Sequence, residues 1–235
     1  MSATAAAAPS PPAPPAASAL ADMTLDELRL ALAPEVAAAA MFDGWSAEAV
    51  TQAALAGGVA PETAGLAYPG GSMDMIAAWI ARIDADMAAA FADGALRGLP
   101  VRERIRRLVQ FRLDALDGLD EAARRALAIM AMPQNAARTA RLSWRSADAM
   151  WRLAGDTAAD FNHYTKRATL AALYAATLLA HVNDRSEGKV ETRAFLDRRI
   201  EGVMRFERAK ARWTRPDAEH FSVTRLLGRL RYPAR

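Results

Sequence analysis

The 235-residue sequence has no cysteine. Thiolate nucleophiles, disulfides, Cys-ligated zinc and iron–sulfur clusters are therefore excluded together. Histidine is nearly as scarce. His163, His181 and His220 are the whole set, and none stands at HxxxH or HExxH spacing, so there is no metal motif. Aromatic residues make up 7 % of the chain and β-branched residues are sparse, which leaves little from which to build strands. No stretch offers the roughly 20 consecutive apolar residues of a bilayer span. Residues 1–22 have neither the basic start and apolar core of a secretory signal nor the arginines of a transit peptide. Their Ala/Pro/Ser content cannot bury a core, and a disordered tail is expected there.

What the chain has in abundance is alanine, the best helix former, within a hydrophobic content of 52 %. The expected fold class is all-α, in a chain long enough to bury a sizeable core. The net charge of +3 hides a strong asymmetry. Residues 22–96 hold eleven acidic and two basic residues, a net of −9, whereas 97–197 come to +5 and 198–235 to +7. An acidic front and a basic tail suit different partners.

Folding signals begin at the capping box Thr24-Leu-Asp-Glu27, followed by Leu25, Leu28, Leu32 and Val36 at helical spacing. This helix reaches about Met41. Ser46 can cap a second, short helix through Leu55, Gly57-Gly58 turns the chain, and Pro61 opens a third. Tyr68-Pro-Gly-Gly71 stops it before a longer helix with Ile76, Ile80, Ile83, Met87 and Phe91 on one face. That order is the layout of a TetR-type DNA-binding domain. Its charge is wrong for DNA: from Met41 to Ala81 there is no lysine or arginine, and the recognition helix would present Glu62 to phosphates. No nucleic acid is expected as a partner. Further helices are expected from Pro100 (with Val101, Ile105, Leu108 and Phe111 or its neighbours buried), from Asp120 as cap to about Met132, and over about Gln134–Leu153, Thr157–Val182 and Gly188–Trp213. With a short one near Ser222–Arg231, the bundle has about nine to ten helices.

Three later features can carry function. Ala168–Ala180 is uncharged, as befits a helix at the centre of a bundle. It is either ordinary core or, because its small residues leave volume, one wall of an apolar cavity to which Ile129, Met130 and Met132 contribute. Trp151–Arg167 places Asp160, His163, Tyr164 and Arg167 on one helix face behind an Asp156 cap. No nucleophile, second carboxylate pair or phosphate loop completes an acid–base site there, so this face reads as a docking surface and no enzyme activity is expected. In the tail, Val223, Leu226, Leu227 and Leu230 form an apolar arc flanked by Arg225, Arg229 and Arg231. Such a helix either lies on an anionic membrane or docks on its own core.

Trp151–Thr177 resembles the signature of the Coq-nine family of ubiquinone-biosynthesis proteins. Ala128–Asn135 is similar to that family's Leu/Met-Pro-x-Asn segment, and Phe42–Ser46 and Tyr68–Gly71 to its degenerate helix–turn–helix. The likeness spans about residues 24–232. It implies a TetR-like bundle that has lost DNA binding and holds an isoprenoid lipid, a ubiquinone precursor, for a di-iron hydroxylase. It also implies a membrane-associating C-terminal helix, a homodimer and no cofactor, with the protein peripheral to the inner face of the cytoplasmic membrane. The partner patch carries over onto Met150, Asp160, His163, Tyr164 and Arg167, although eukaryotic members tend to have tryptophan where His163 stands. The lipid cavity adds Trp151, Phe161, Leu170, Leu173 and Tyr174 to the three residues named above. The implied organisation is a tail at 1–22, a helix–turn–helix-like domain at 23–78, a lipid-binding domain at 79–215 and a membrane helix at 216–235. A TetR-type regulator of an apolar ligand is the alternative.

Overall fold

A computed structural model of the chain describes residues 20, 22–156 and 161–213. Among these there are nine α-helices and no strand. Helix α1 (Leu25–Asp43) begins at the Thr24 capping box, with the Glu27 carboxylate accepting from the Thr24 backbone at 2.9 Å. Helices α2 (Ala47–Ala56) and α3 (Pro61–Leu66) start at Ser46 and Pro61, as local cap chemistry dictates. Helix α4 (Ser72–Ala90) follows Gly71, whose φ of +62° is a conformation that glycine adopts without strain. Then come α5 (Val101–Asp114), α6 (Asp120–Met130) and, after a 3₁₀ turn at Pro133–Asn135, α7 (Ala136–Leu153). Helix α8 (Phe161–Asn183) and, past a second 3₁₀ turn, α9 (Val190–Trp213) complete the set. No described helix is long and apolar enough to cross a membrane.

The described residues up to Leu196 belong to one compact unit, and those over 197–213 to another. Within the first, α4 is continuous across residues 78–79, and the front helices share a buried core with α6. Trp45 is the rivet. Its ring lies 5.3 Å from that of Trp79, its Nε1 donates to the Ala122 carbonyl at 3.0 Å, and its own carbonyl accepts from Ser72 Oγ at 2.5 Å. The Tyr68 hydroxyl donates to the Arg29 carbonyl at 2.8 Å, and Arg29 Nε donates back across the loop to the Ala67 carbonyl at 2.8 Å.

Several cations that read as surface charge close helix ends instead. Arg125 donates to the Ala40 and Phe42 carbonyls of α1, Arg104 to the Ala154 carbonyl after α7, and Arg124 to the Val182 carbonyl of α8. Cations are favoured there because the last carbonyls of a helix are unpaired and carry partial negative charge. Two expectations change. Val101, the first residue of α5, is exposed. Asp120 is the first residue of α6 and not its cap, since its carboxylate turns to Lys189 Nζ at 2.8 Å.

Candidate functional site

Five helices enclose a cavity of about 220 Å³. Helix α4 gives it Ile76, Trp79, Ile80 and Ile83; α6 gives Ala123, Ala126, Leu127 and Met130; α8 gives Ala171, Tyr174, Ala175 and Leu178. Helix α7 adds Thr139, Leu142, Ser143 and Ser146, and α5 adds Arg112. Alanines on facing helices leave the space that leucine would fill. Ala131 and Ala175 are exposed lining residues, so the cavity opens to the surface between the end of α6 and α8.

Of the residues expected around a lipid, Met130 and Tyr174 line this cavity, whereas Ile129, Met132, Trp151, Leu170 and Leu173 do not. Leu170 and Leu173 are buried, but they sit about 90° and 150° around α8 from the arc Ala171, Tyr174, Ala175, Leu178. Met132 is exposed beyond the end of α6, and Ile129 is half-buried on another side of that helix. Trp151 is fastened to α8, its Nε1 donating to the Lys166 carbonyl at 3.0 Å with Lys166 Nζ 5.4 Å from the ring centroid. The side chain of Phe161 lies outside the described residues. Ile76, Ile80 and Ile83 were visible as an apolar stripe, but a stripe facing a cavity looks the same in sequence as one facing solid core.

The expected docking face divides. Tyr164 is 62 % exposed and forms a ring cluster with Trp144 at 5.9 Å and His163 at 5.2 Å, joining α7 to α8. Arg167 turns inward and is 2 % exposed: its Nε donates to Asp148 at 2.5 Å and its Nη1 to Asp156 at 3.2 Å. Asp156 also accepts from Lys166 Nζ at 2.6 Å, so this carboxylate works as a counter-ion. Met150 is fully buried. Arg167 and Met150 are therefore buried residues and not members of the surface ring cluster, in which Tyr164 is exposed and Trp144 and His163 are half-buried. Asp160 lies outside the described residues, as do Val223, Arg225, Leu226, Leu227, Arg229 and Leu230.

The front face offers nothing cationic between residues 41 and 81. Leu55 and Leu66 are exposed on α2 and α3, with Glu48 and Glu62 also at the surface. No group of three or more metal-binding side chains occurs among the described residues.

Residues 136–207 match the COQ9 family model, which takes in α7, α8 and most of α9. Over 168 residues the chain is 32 % identical to the mitochondrial ubiquinone biosynthesis protein COQ9 of Rattus norvegicus, covering 68 % of this chain and 54 % of that protein. The corresponding Homo sapiens protein is 30 % identical, with 68 % and 52 % covered. The probable ubiquinone biosynthesis protein coq9 of Dictyostelium discoideum is 26 % identical, with 69 % and 55 % covered. The chain spans about half the length of the curated relatives it matches. The crystal structure of a TetR transcriptional regulator from Nitrosomonas europaea ATCC 19718 superposes with a TM-score of 0.61 at 22 % identity, covering 76 % of this chain and 99 % of that one. The fold is TetR-like.

Proposed function

This chain is a relative of the COQ9 proteins of ubiquinone biosynthesis, and from that premise we propose that it is a non-catalytic, lipid-binding accessory protein of that pathway. Its cavity holds the prenyl part of a quinone precursor and presents the molecule to a hydroxylase at a membrane surface, where the chemistry belongs to the partner. The observation that carries this reading is the apolar cavity with Ala123, Ala126, Ala171 and Ala175 in its wall. Burying a prenyl segment there removes apolar surface from water at about 25 cal/mol per Å². At about 220 Å³ the space is below the roughly 300–1,000 Å³ of drug-sized sites, so it takes part of a long chain and not the whole.

The exposed Tyr164, with the half-buried Trp144 and His163 against it, forms the face on which the hydroxylase docks, aromatic rings being common interface anchors. The buried Arg167 positions that face. The basic apolar segment around Leu226 and Leu230 rests on anionic lipid at the inner face of the cytoplasmic membrane, and the working form is a homodimer. Organic extraction of the purified protein, followed by mass spectrometry, should release a quinone precursor or another isoprenoid. Preparations that repeatedly contain no such lipid would overturn the reading.

A further inference from the structure

Among the described residues, a single charged side chain stands in the wall of this apolar cavity. Arg112 of α5 is 1 % exposed and lines the space beside Tyr174. Its Nη1 donates to Asp84 of α4, whose other oxygen accepts from Ser146 Oγ of α7 at 3.0 Å. The guanidinium carbon lies 4.8 Å from the centroid of the Tyr174 ring. Its Nε has no acceptor among the described residues. A guanidinium carries five N–H donors and no acceptor, and folded proteins rarely leave a buried donor unpaired. An ion pair whose whole task was to join α4 to α5 would have no need to line the cavity or to carry an unsatisfied buried donor.

We propose that Arg112, set by Asp84 and stacked on Tyr174, is the polar anchor of the cavity and selects chains that carry a neutral ring oxygen over chains that end in a carboxylate or phosphate. The inference rests on the lipid-binding reading above and adds a head-group rule to it. Asp84 already balances the charge of Arg112. A carboxylate entering the space would bring a second negative charge without a partner into a low-dielectric surrounding, which is strongly unfavourable. A quinone carbonyl or phenolic oxygen supplies an acceptor and no charge. The Tyr174 ring and the isoleucines of α4 then cover the ring and the first part of the chain.

The test uses the full chain and three probes with the same ten-carbon tail: decyl-benzoquinone, decylbenzene and decanoate, compared by titration calorimetry. The native protein should bind the quinone about tenfold more tightly than decylbenzene, close to the lower end of what one hydrogen bond from a charged donor contributes, and should bind decanoate most weakly. Replacing both partners, Arg112→Met with Asp84→Leu, should bring quinone and decylbenzene to parity while decylbenzene still binds. Arg112→Lys keeps the charge but has no Nε donor and no fork; it should lose the preference as well, and it serves if the double variant fails to fold. Native protein that binds decanoate or decylbenzene as tightly as the quinone overturns the anchor and leaves lipid binding standing. Failure of all three probes to bind overturns the lipid reading itself, and the anchor with it.

Discussion

Arg167 Nε donates to Asp148 at 2.5 Å, and this contact ties α8 to α7 through a guanidinium that solvent barely reaches. Asp156 closes the same guanidinium from its other side at 3.2 Å. One cation thus holds two carboxylates, both from the stretch that precedes it in sequence: Asp148 in α7 and Asp156 just after that helix. Removing one partner of a buried pair leaves uncompensated charge, typically at about 3–5 kcal/mol. Arg167→Met should therefore lower unfolding free energy in urea by roughly that amount, whereas Tyr164→Ala, one turn away and exposed, should stay within about 0.5 kcal/mol. Equal stability of the two variants would return Arg167 to the surface face.

His181 gives the fold a pH dependence of known sign. It is 2 % exposed, neither ring nitrogen has a hydrogen-bond partner among the described residues, and Nε2 stands 3.9 Å from Asp120 Oδ1, which has none there either. Burial pulls the imidazole pKa below its ordinary value and Lys189 pulls the same way, against Asp120, Asp117 and Asp184. The unfolded chain, titrating near about 6.5, then binds a proton that the folded chain refuses. Stability is full above that pH and falls as the pH drops below it. Denaturation midpoints measured from pH 8 to pH 5 should decline for the native protein and stay flatter for His181→Leu. Parallel curves would sink the assignment.

The two clusters also mark what could be read in advance. Thr24, Ser46 and Pro61 start their helices as expected because cap chemistry is a matter of three or four neighbouring residues. Asp120 looks the same in sequence, but Lys189, from far along the chain, claims its carboxylate. The cavity was legible only as a composition of small residues and methionine. Periodicity announces that α8 has apolar faces, yet it cannot say that Ala171 and Tyr174 face the cavity while Leu173 faces away. Arg112 reads as one more cation of a basic helix until Asp84 and Tyr174 are brought to it. Long-range pairing decides each of these cases.

Asp184 organises the start of α9. Its Oδ2 accepts from the Thr192 backbone at 2.8 Å and from the Thr192 hydroxyl at 2.7 Å, and its Oδ1 accepts the same two kinds of donor from Ser186. Burial alone would raise this carboxyl, but the donors of Ser186 and Thr192 hold it well below the usual range. Its contribution is present at neutral pH and is lost only as the pH falls below about 4. Asp184→Asn replaces a charged acceptor by a neutral one and should lower stability at pH 7 by on the order of 2 kcal/mol. Thermal unfolding across pH should show the gap between variant and native narrowing under strong acid; a gap that persists there would mean the carboxylate charge is irrelevant.

The TetR-like front end should not bind DNA, and the reason is charge and not shape. Repressors of this architecture gain affinity by neutralising phosphates with lysine and arginine, and each such contact releases counterions. The chain has no such residue from Met41 to Ala81. Arg29 is bound to the Ala67 carbonyl, and Arg138 is paired with Asp74. What the surface presents is Glu48, Glu62, Leu55 and Leu66. An electrophoretic shift assay with the DNA upstream of its own gene should show no complex even near 50 mM salt, where electrostatic binding is strong. Glu48→Lys with Glu62→Lys replaces two like charges by two attractive ones on the face that would meet phosphate, and it should create weak, salt-sensitive, non-specific binding. A complex formed by the native protein that dissolves as salt is added would restore the regulator reading. If the doubly substituted protein stayed silent too, the face would be unfit in geometry as well as in charge.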